Sequence, residues 1–212
     1  MLELLEQRYR KPCNETAFIT LTYNDETLPS DLCVTKAEAQ LFLKKLRNYL
    51  YPQRTFRYYF VGEYGEISGR PHYHAILYGI SPTESDLISK CWTKGFIKMG
   101  TAETKSISYA LSYVVKKLTK KGDPRLEGRD PEFALMSQRP GLGHDYSKRI
   151  IKTYQTPAGR AALKKHGWFA TTWRHDGKTY HIGRYLEDKI QLALGLGMEA
   201  RRLHRISKQA QI

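Results

Sequence analysis

Pro71-His72-Tyr73-His74-Ala75-Ile76-Leu77 sets two histidines around one aromatic residue, in a run that otherwise reads as a half-buried β-strand. Side chains at i and i+2 of a strand point to the same face. His72 and His74 can therefore reach one metal ion with no help from distant sequence. The plain alternative is a strand carrying two exposed histidines. Just upstream, the alternating Val61-Gly62-Glu63-Tyr64 can fold back as a neighbouring strand and bring a carboxylate. If the two strands pair about a turn centred near Ile67-Ser68, Glu63 lies directly opposite His72, on the histidine face. A one-residue slip would move it to the other face. Two imidazoles and one carboxylate leave coordination positions open for substrate, the pattern of a catalytic site. Zn, Mn, Mg or Co suits such a set; imidazoles favour Mn or Zn over Mg, an order that cellular availability can reverse.

Outward from this pair, the chain reads as strands and helices in alternation. Ala17 to Tyr23 alternates and is rich in β-branched and aromatic residues, hence a strand, with a loop from Asn24 to Ser30. Thr35 opens a helix, and Glu38 three residues on offers a capping box. Leu41, Leu43, Leu46 and Leu50 give that helix an apolar side, Lys44, Lys45 and Arg47 a wet one, and Pro52 ends it. Phe56 to Tyr64 is a second strand, Gly65 to Arg70 a turn and His72 to Gly79 a third strand. A short helix starts in Ser81-Pro82-Thr83-Glu84 and runs to about Trp92, and Gly95 to Gly100 forms a fourth strand. Lys105 to Lys120 is helical, with Ile107, Leu111, Val114, Val115 and Leu118 on one side. The order β-α-β-β-α-β-α suits an α+β fold: a central antiparallel sheet flanked by helices, with a helical C-terminal extension.

The charged Gly/Pro-containing break from Gly122 to Asp130 divides a core of residues 1–121 from an extension of residues 122–212, expected to pack on that core. In the extension, helices over about Gly143 to Ile151 and Thr156 to His166 precede a hairpin. Its strands, Trp168 to Arg174 and Lys178 to Ile182, turn at Asp176-Gly177. A final basic helix spans about Arg184 to Ser207.

Composition narrows the partners. Lys and Arg number 35 against 21 Asp and Glu, a formal charge of +14, which favours a polyanion, most simply nucleic acid. An anionic membrane surface or plain solubility is the alternative on charge alone. No apolar run approaches the ~20 residues of a membrane span, and Met1 to Pro12 is charged and amphipathic without a signal-peptide core. Cys13, Cys33 and Cys91 are odd in number and lack paired ligand spacing, so they read as reduced cysteines of a cytosolic protein. The 15 tyrosines offer stacking surfaces for bases, but tyrosine is also a common strand residue.

A second constellation lies on the helix Tyr109-Ala110-Leu111-Ser112-Tyr113-Val114-Val115-Lys116. Tyr109 and Tyr113 are four apart and share a face, and Lys116 falls three beyond Tyr113. A tyrosine near pKa 10 is only about a thousandth ionised at neutral pH. A neighbouring ammonium and a metal-bound phosphate both favour the phenolate, and two adjacent tyrosines can attack two phosphates in alternation. Otherwise they are packing residues beside a solvated lysine.

Together these motifs resemble the HUH endonucleases, the rolling-circle replication initiators. More narrowly, they resemble the initiators of small single-stranded DNA phages, the microviruses of gokushovirus type. Phe18-Ile19-Thr20-Leu21-Thr22-Tyr23 is similar to their first motif. Gly62-Glu63-Tyr64-Gly65 with Gly69-Arg70-Pro71-His72-Tyr73-His74 is similar to their metal motif, and Tyr109 with Tyr113 to their paired nucleophiles. Met136-Ser137-Gln138-Arg139-Pro140-Gly141-Leu142-Gly143 and Gly183-Arg184-Tyr185 also look familial, so the likeness covers about residues 16 to 190. Two features depart from the pattern. Of the cysteine-rich stretch that usually precedes the first motif only Cys13 remains, the chain starting late, and Ser112 stands where a basic residue is expected.

The resemblance implies an RRM-like core that nicks and rejoins single-stranded DNA at a phage origin. It implies metal ligands His72, His74 and Glu63, with Mg2+ or Mn2+ as the divalent metal. It further implies Tyr109 as first nucleophile forming a 5′-phosphotyrosine, Tyr113 as the second, and Lys116 stabilising phosphate charge or the phenolate. The single-stranded origin, a host replication helicase and polymerase are the implied partners, and the host cytoplasm the implied location. Three other readings remain at this point: a single-stranded nucleic-acid-binding module without catalysis, a metal hydrolase using activated water, and an HUH transposase of a mobile element. His144, His166, His175, His181 and His204 show no ligand spacing. Asp25 and Glu26 are near enough in sequence to approach the metal or simply stay wet. The loop at Arg139-Pro140-Gly141-Leu142-Gly143 reads equally as a DNA contact or a turn, and Arg201-Arg202-Leu203-His204-Arg205 as a phosphate track or a solvated helix.

Overall fold

β-Alternation builds the sheet that carries both histidines. The computed structural model describes residues 2–3, 16–109, 120–175 and 177–209. The first unit contains β1 (Thr16–Thr22), α1 (Lys36–Leu50), β2 (Arg57–Tyr64), β3 (Pro71–Tyr78), α2 (Ser85–Cys91) and β4 (Ile97–Thr101), followed by a helical turn at residues 104–109. The expectations for Cys13, Leu111, Ser112, Tyr113, Val114, Val115, Lys116, Leu118 and Asp176 fall outside the described residues. The strands form one antiparallel sheet in the order β4-β1-β3-β2-β5, an α+β arrangement.

β5 (Phe133–Met136) is the strand that periodicity missed. Four residues, Phe-Ala-Leu-Met, carry no alternation of polarity, so only their pairing with Tyr59 to Gly62 of β2 defines them. That strand lies beyond the Gly122–Asp130 break, and the chain divides into compact units at Arg139 and Pro140 rather than at residues 121 and 122.

One face of the sheet packs on α1 and α2. Ile19, Leu21, Phe60, Tyr73, Ala75 and Leu77 meet Ala39, Phe42, Leu43, Leu46 and Leu50 of α1 and Ile88 of α2. Burying each such side chain stabilises the fold by about 1.5–3 kcal/mol. Leu41, expected on the apolar side of α1, is exposed, and Phe42 with Ala39 fills the buried stripe instead. The stripe is rotated by one position because 3.6 residues per turn places 39, 42, 43, 46 and 50 together.

The α1 cap is half a capping box. The Thr35 hydroxyl accepts from the Glu38 backbone N–H at 3.3 Å, while the Glu38 carboxylate bonds the Lys94 ammonium at 2.7 Å. The Thr35 N–H donates instead to the Tyr73 hydroxyl at 3.3 Å, which ties the helix start to β3. Behind Glu63, Gly62 is required by packing: a Cβ there would lie 2.7 Å from the Phe133 ring of the facing strand.

The second unit contains α3 (His144–Gln155), α4 (Pro157–His166), the hairpin β6 (Thr172–His175) and β7 (Lys178–His181), α5 (Arg184–Ala193) and α6 (Met198–Gln209). Its core gathers Trp168, Phe169, Ile182, Leu186 and Ile190. The expected single terminal helix is two. Gly195 adopts φ +67 and the Gln191 amide donates to the Leu196 carbonyl at 3.0 Å, closing α5 before α6 begins.

Candidate metal centre and nucleophile

The hairpin register decides the site. Glu63 pairs with His72 across β2 and β3, the register expected from a turn near Ile67-Ser68. Tyr73, between the histidines, points to the opposite face and is fully buried. Its hydroxyl lies 3.0 Å from that of Tyr23, and its ring packs against Trp92. Anchoring Tyr73 in the core holds both imidazoles on the other face.

There His72 Nε2 and His74 Nε2 lie 2.8 and 2.9 Å from one carboxylate oxygen, Glu63 Oε1. Each Nδ1 is engaged from behind: His72 Nδ1 donates to the Arg70 carbonyl at 3.2 Å, and His74 Nδ1 lies 2.9 Å from the Thr20 hydroxyl. With the Nδ1 protons so placed, both Nε2 lone pairs face the Glu63 side, the outer-shell orientation of histidine ligands. Glu63 is 1% exposed, and its second oxygen, Oε2, is buried without a hydrogen-bond partner among the described residues.

Burial pushes the Glu63 carboxyl up, but the hydrogen bonds and charge of His72 and His74 outweigh it and hold the group below its usual range. An ionised, buried carboxylate with an unbonded oxygen beside two oriented imidazoles is a donor set that fits a divalent cation. Among the described residues, these three alone form a group of metal-capable side chains, their ligand atoms within 4.8 Å of one another.

Tyr109 ends the described part of its helix beside this group. Its ring meets the His74 ring edge-on with centroids 5.5 Å apart, and His74 in turn stacks on Phe18 at 5.5 Å. The side chain is 46% exposed, open to an incoming strand. Tyr113 and Lys116 lie outside the described residues. Tyr23, by contrast, is a core phenol: burial and the neighbouring Tyr73 hydroxyl push it far above the ordinary tyrosine value.

Other expectations resolve locally. Asp25 takes no place among the ligands; its carboxylate pairs with Arg70 at 2.7 Å, and Glu26 is exposed. Thr20 and the Arg70 carbonyl are the functional groups that residue spacing did not single out, although Thr20 sits at the centre of the first motif. In the second unit, the Gly141 N–H donates to the Tyr185 hydroxyl at 2.8 Å. A Cβ on Gly141 would lie 2.5 Å from the Tyr185 ring, so two of the familial motifs are joined by one structural contact. Arg201 pairs with Asp188 at 2.6 Å, and the His204 ring stacks on Trp168.

An antiparallel sheet presenting two histidines and a carboxylate, with a tyrosine helix beside them, defines a class that comparison with known proteins makes specific. The family model for the phage replication-associated protein ORF2 matches residues 16–121, and the chain belongs to that family. It is 31% identical over 131 residues to the replication-associated protein VP4 of Bdellovibrio phage phiMH2K, covering 52% of this chain and 41% of that protein. It is 31% identical over 159 residues to the replication-associated protein ORF2 of Spiroplasma virus 4, covering 64% of this chain and 49% of that protein. The replication-associated protein ORF4 of Chlamydia phage 1 is 26% identical over 169 residues, 66% of this chain and 41% of that protein. The chain thus spans less than half the length of each of these relatives. No solved structure matches it.

Proposed function

We propose that the chain initiates phage DNA replication by nicking and rejoining single-stranded DNA at an origin through a phosphotyrosine. The observation that carries the reading is the packing of the Tyr109 ring on His74, one of three residues suited to hold a divalent cation. Glu63, His72 and His74 hold Mg2+ or Mn2+, and Thr20 and the Arg70 carbonyl keep the imidazoles in the ligating tautomer. The bound cation supplies positive charge at the non-bridging oxygens of the scissile phosphate, which favours attack on phosphorus.

Tyr109 provides the attacking oxygen. Its O–P bond forms as the bond from phosphorus to the 3′ oxygen breaks, and the phenol's proton ends on the released 3′-hydroxyl. The phosphodiester bond is exchanged rather than hydrolysed, so the 3′ end can prime synthesis and the 5′-phosphotyrosine can later be rejoined. Tyr113 takes the following cleavage and Lys116 stabilises charge on the phosphate or phenolate. The single-stranded origin is the substrate, and a host helicase and polymerase extend the released end in the host cytoplasm. No helix among the described residues is long and apolar enough to cross a membrane.

The test is incubation of the chain with phage origin strand and Mn2+ or Mg2+, followed by denaturing electrophoresis. A denaturation-resistant protein–DNA adduct is expected, abolished by EDTA and by joint Tyr109→Phe and Tyr113→Phe substitution. Cleavage without an adduct would instead indicate a hydrolase using water, and EDTA-insensitive binding without cleavage a non-catalytic binding module.

A further inference from the structure

β4 is an edge strand, and its outward row continues the metal-capable face rather than the helix-packed one. Lys98 pairs with Thr20, and Thr20 with His74, so all three side chains share a face. With strands about 4.8 Å apart, the β4 backbone runs roughly 10 Å from that of His74. Phe96 lies two residues before Lys98 and extends the ladder, its carbonyl accepting the Thr22 N–H at 3.0 Å. Gly100, two residues after Lys98, pairs with Phe18, and a Cβ built there would meet nothing within 4 Å. The row therefore presents an aromatic ring, a cation and an open step beside the ring that stacks on His74.

Phe96 is 71% exposed, unusual for so apolar a side chain, yet its backbone is clamped. The Trp92 indole donates to the Thr22 carbonyl at 3.0 Å, and Gly95 comes so close that a Cβ would lie 2.3 Å from that same oxygen. The Asn24 N–H binds the Lys94 carbonyl at 3.0 Å. A ring displayed on a pinned backbone loses little entropy when it makes a contact. Its face matches an unstacked base, and the exposed Lys98 beside it matches a backbone phosphate.

We infer that the β4 edge is the track for the DNA strand flanking the scissile phosphate, with Phe96 stacking one base and Lys98 neutralising one phosphate. The inference rests on the single-stranded DNA reading of the site, and it assigns the neighbouring subsite. The experiment measures binding of a fluorescein-labelled mixed-sequence single strand to the full chain by anisotropy, in EDTA and at several salt concentrations. Phe96→Ala is expected to weaken binding by about 5- to 150-fold with the salt slope unchanged, and Phe96→Trp to retain it. Lys98→Ala is expected to weaken binding and to lower the salt slope by about 0.7, whereas Lys44→Ala on the outer side of α1 does neither. Wild-type affinity in Phe96→Ala, equal loss in Phe96→Ala and Phe96→Trp, or equal effects of Lys44→Ala and Lys98→Ala would overturn the track. Because binding is read without metal, these outcomes are independent of whether a covalent adduct forms.

Discussion

Tyr73 and His74 are adjacent on one strand, yet the two sides of the sheet treat polar groups in opposite ways. Toward α1, the Tyr73 hydroxyl is met by the Tyr23 hydroxyl and the Thr35 N–H, inside a layer of aromatic and aliphatic side chains. Toward the other side, Glu63 is equally buried but keeps an unbonded oxygen, and two imidazoles are turned toward it by groups behind them. Buried polar groups are ordinarily satisfied within the protein, because leaving one unmade costs about 1–3 kcal/mol. One side of β3 obeys that rule and specifies the fold. The other departs from it at Glu63, and that departure marks the place built for something else.

The comparison predicts that substitutions on the two sides separate stability from metal binding. The largest effect is expected at Tyr73→Ala, which removes a fully buried ring and should cost about 3–5 kcal/mol in urea unfolding. Unchanged stability there would mean that the core side does not anchor the histidine strand.

Thr20→Val should act on the other side. Removing the hydroxyl behind His74 Nδ1 should weaken Mn2+ binding about 10- to 100-fold in calorimetry while leaving the urea midpoint close to wild type. A loss of stability without a loss of affinity would reverse the assignment of the two sides.

The smallest effect concerns pH. Glu63 has its folded-state carboxyl held below the ordinary value, so its ionised form stabilises the fold above the ordinary carboxylate range. That contribution fades as pH falls through the lowered folded value. In EDTA, the stability difference between wild type and Glu63→Gln should be constant above about pH 5 and shrink in more acid solution. A difference that grows as pH falls would contradict the direction assigned to Glu63.

The site was more legible than its frame. His72 and His74 share a side by the two-residue period of a strand, and the turn near Ile67-Ser68 places Glu63 opposite, so local spacing sufficed for three side chains. β5 was illegible because four residues without alternation become a strand only by pairing with a segment more than 70 positions earlier. Leu41 shows a related limit: leucine count alone chose the wrong stripe, and Phe42 and Ala39 occupy it because the sheet opposite fits them. The break within the terminal helix was encoded in Gly195 and Gly197, whose effect depends on whether a left-handed residue is used. Thr20 was hidden for a different reason, since a threonine on a strand is ordinary until the ring it touches is known.

The most direct test of the account is to map the residue that DNA becomes attached to. After reaction of the wild-type chain with origin strand and Mn2+, tryptic digestion and mass spectrometry should find a nucleotide remnant on the peptide from Ser106 to Lys116, at Tyr109 for the first cleavage. A linkage at a tyrosine outside that peptide, or cleavage with no linkage at all, would contradict it.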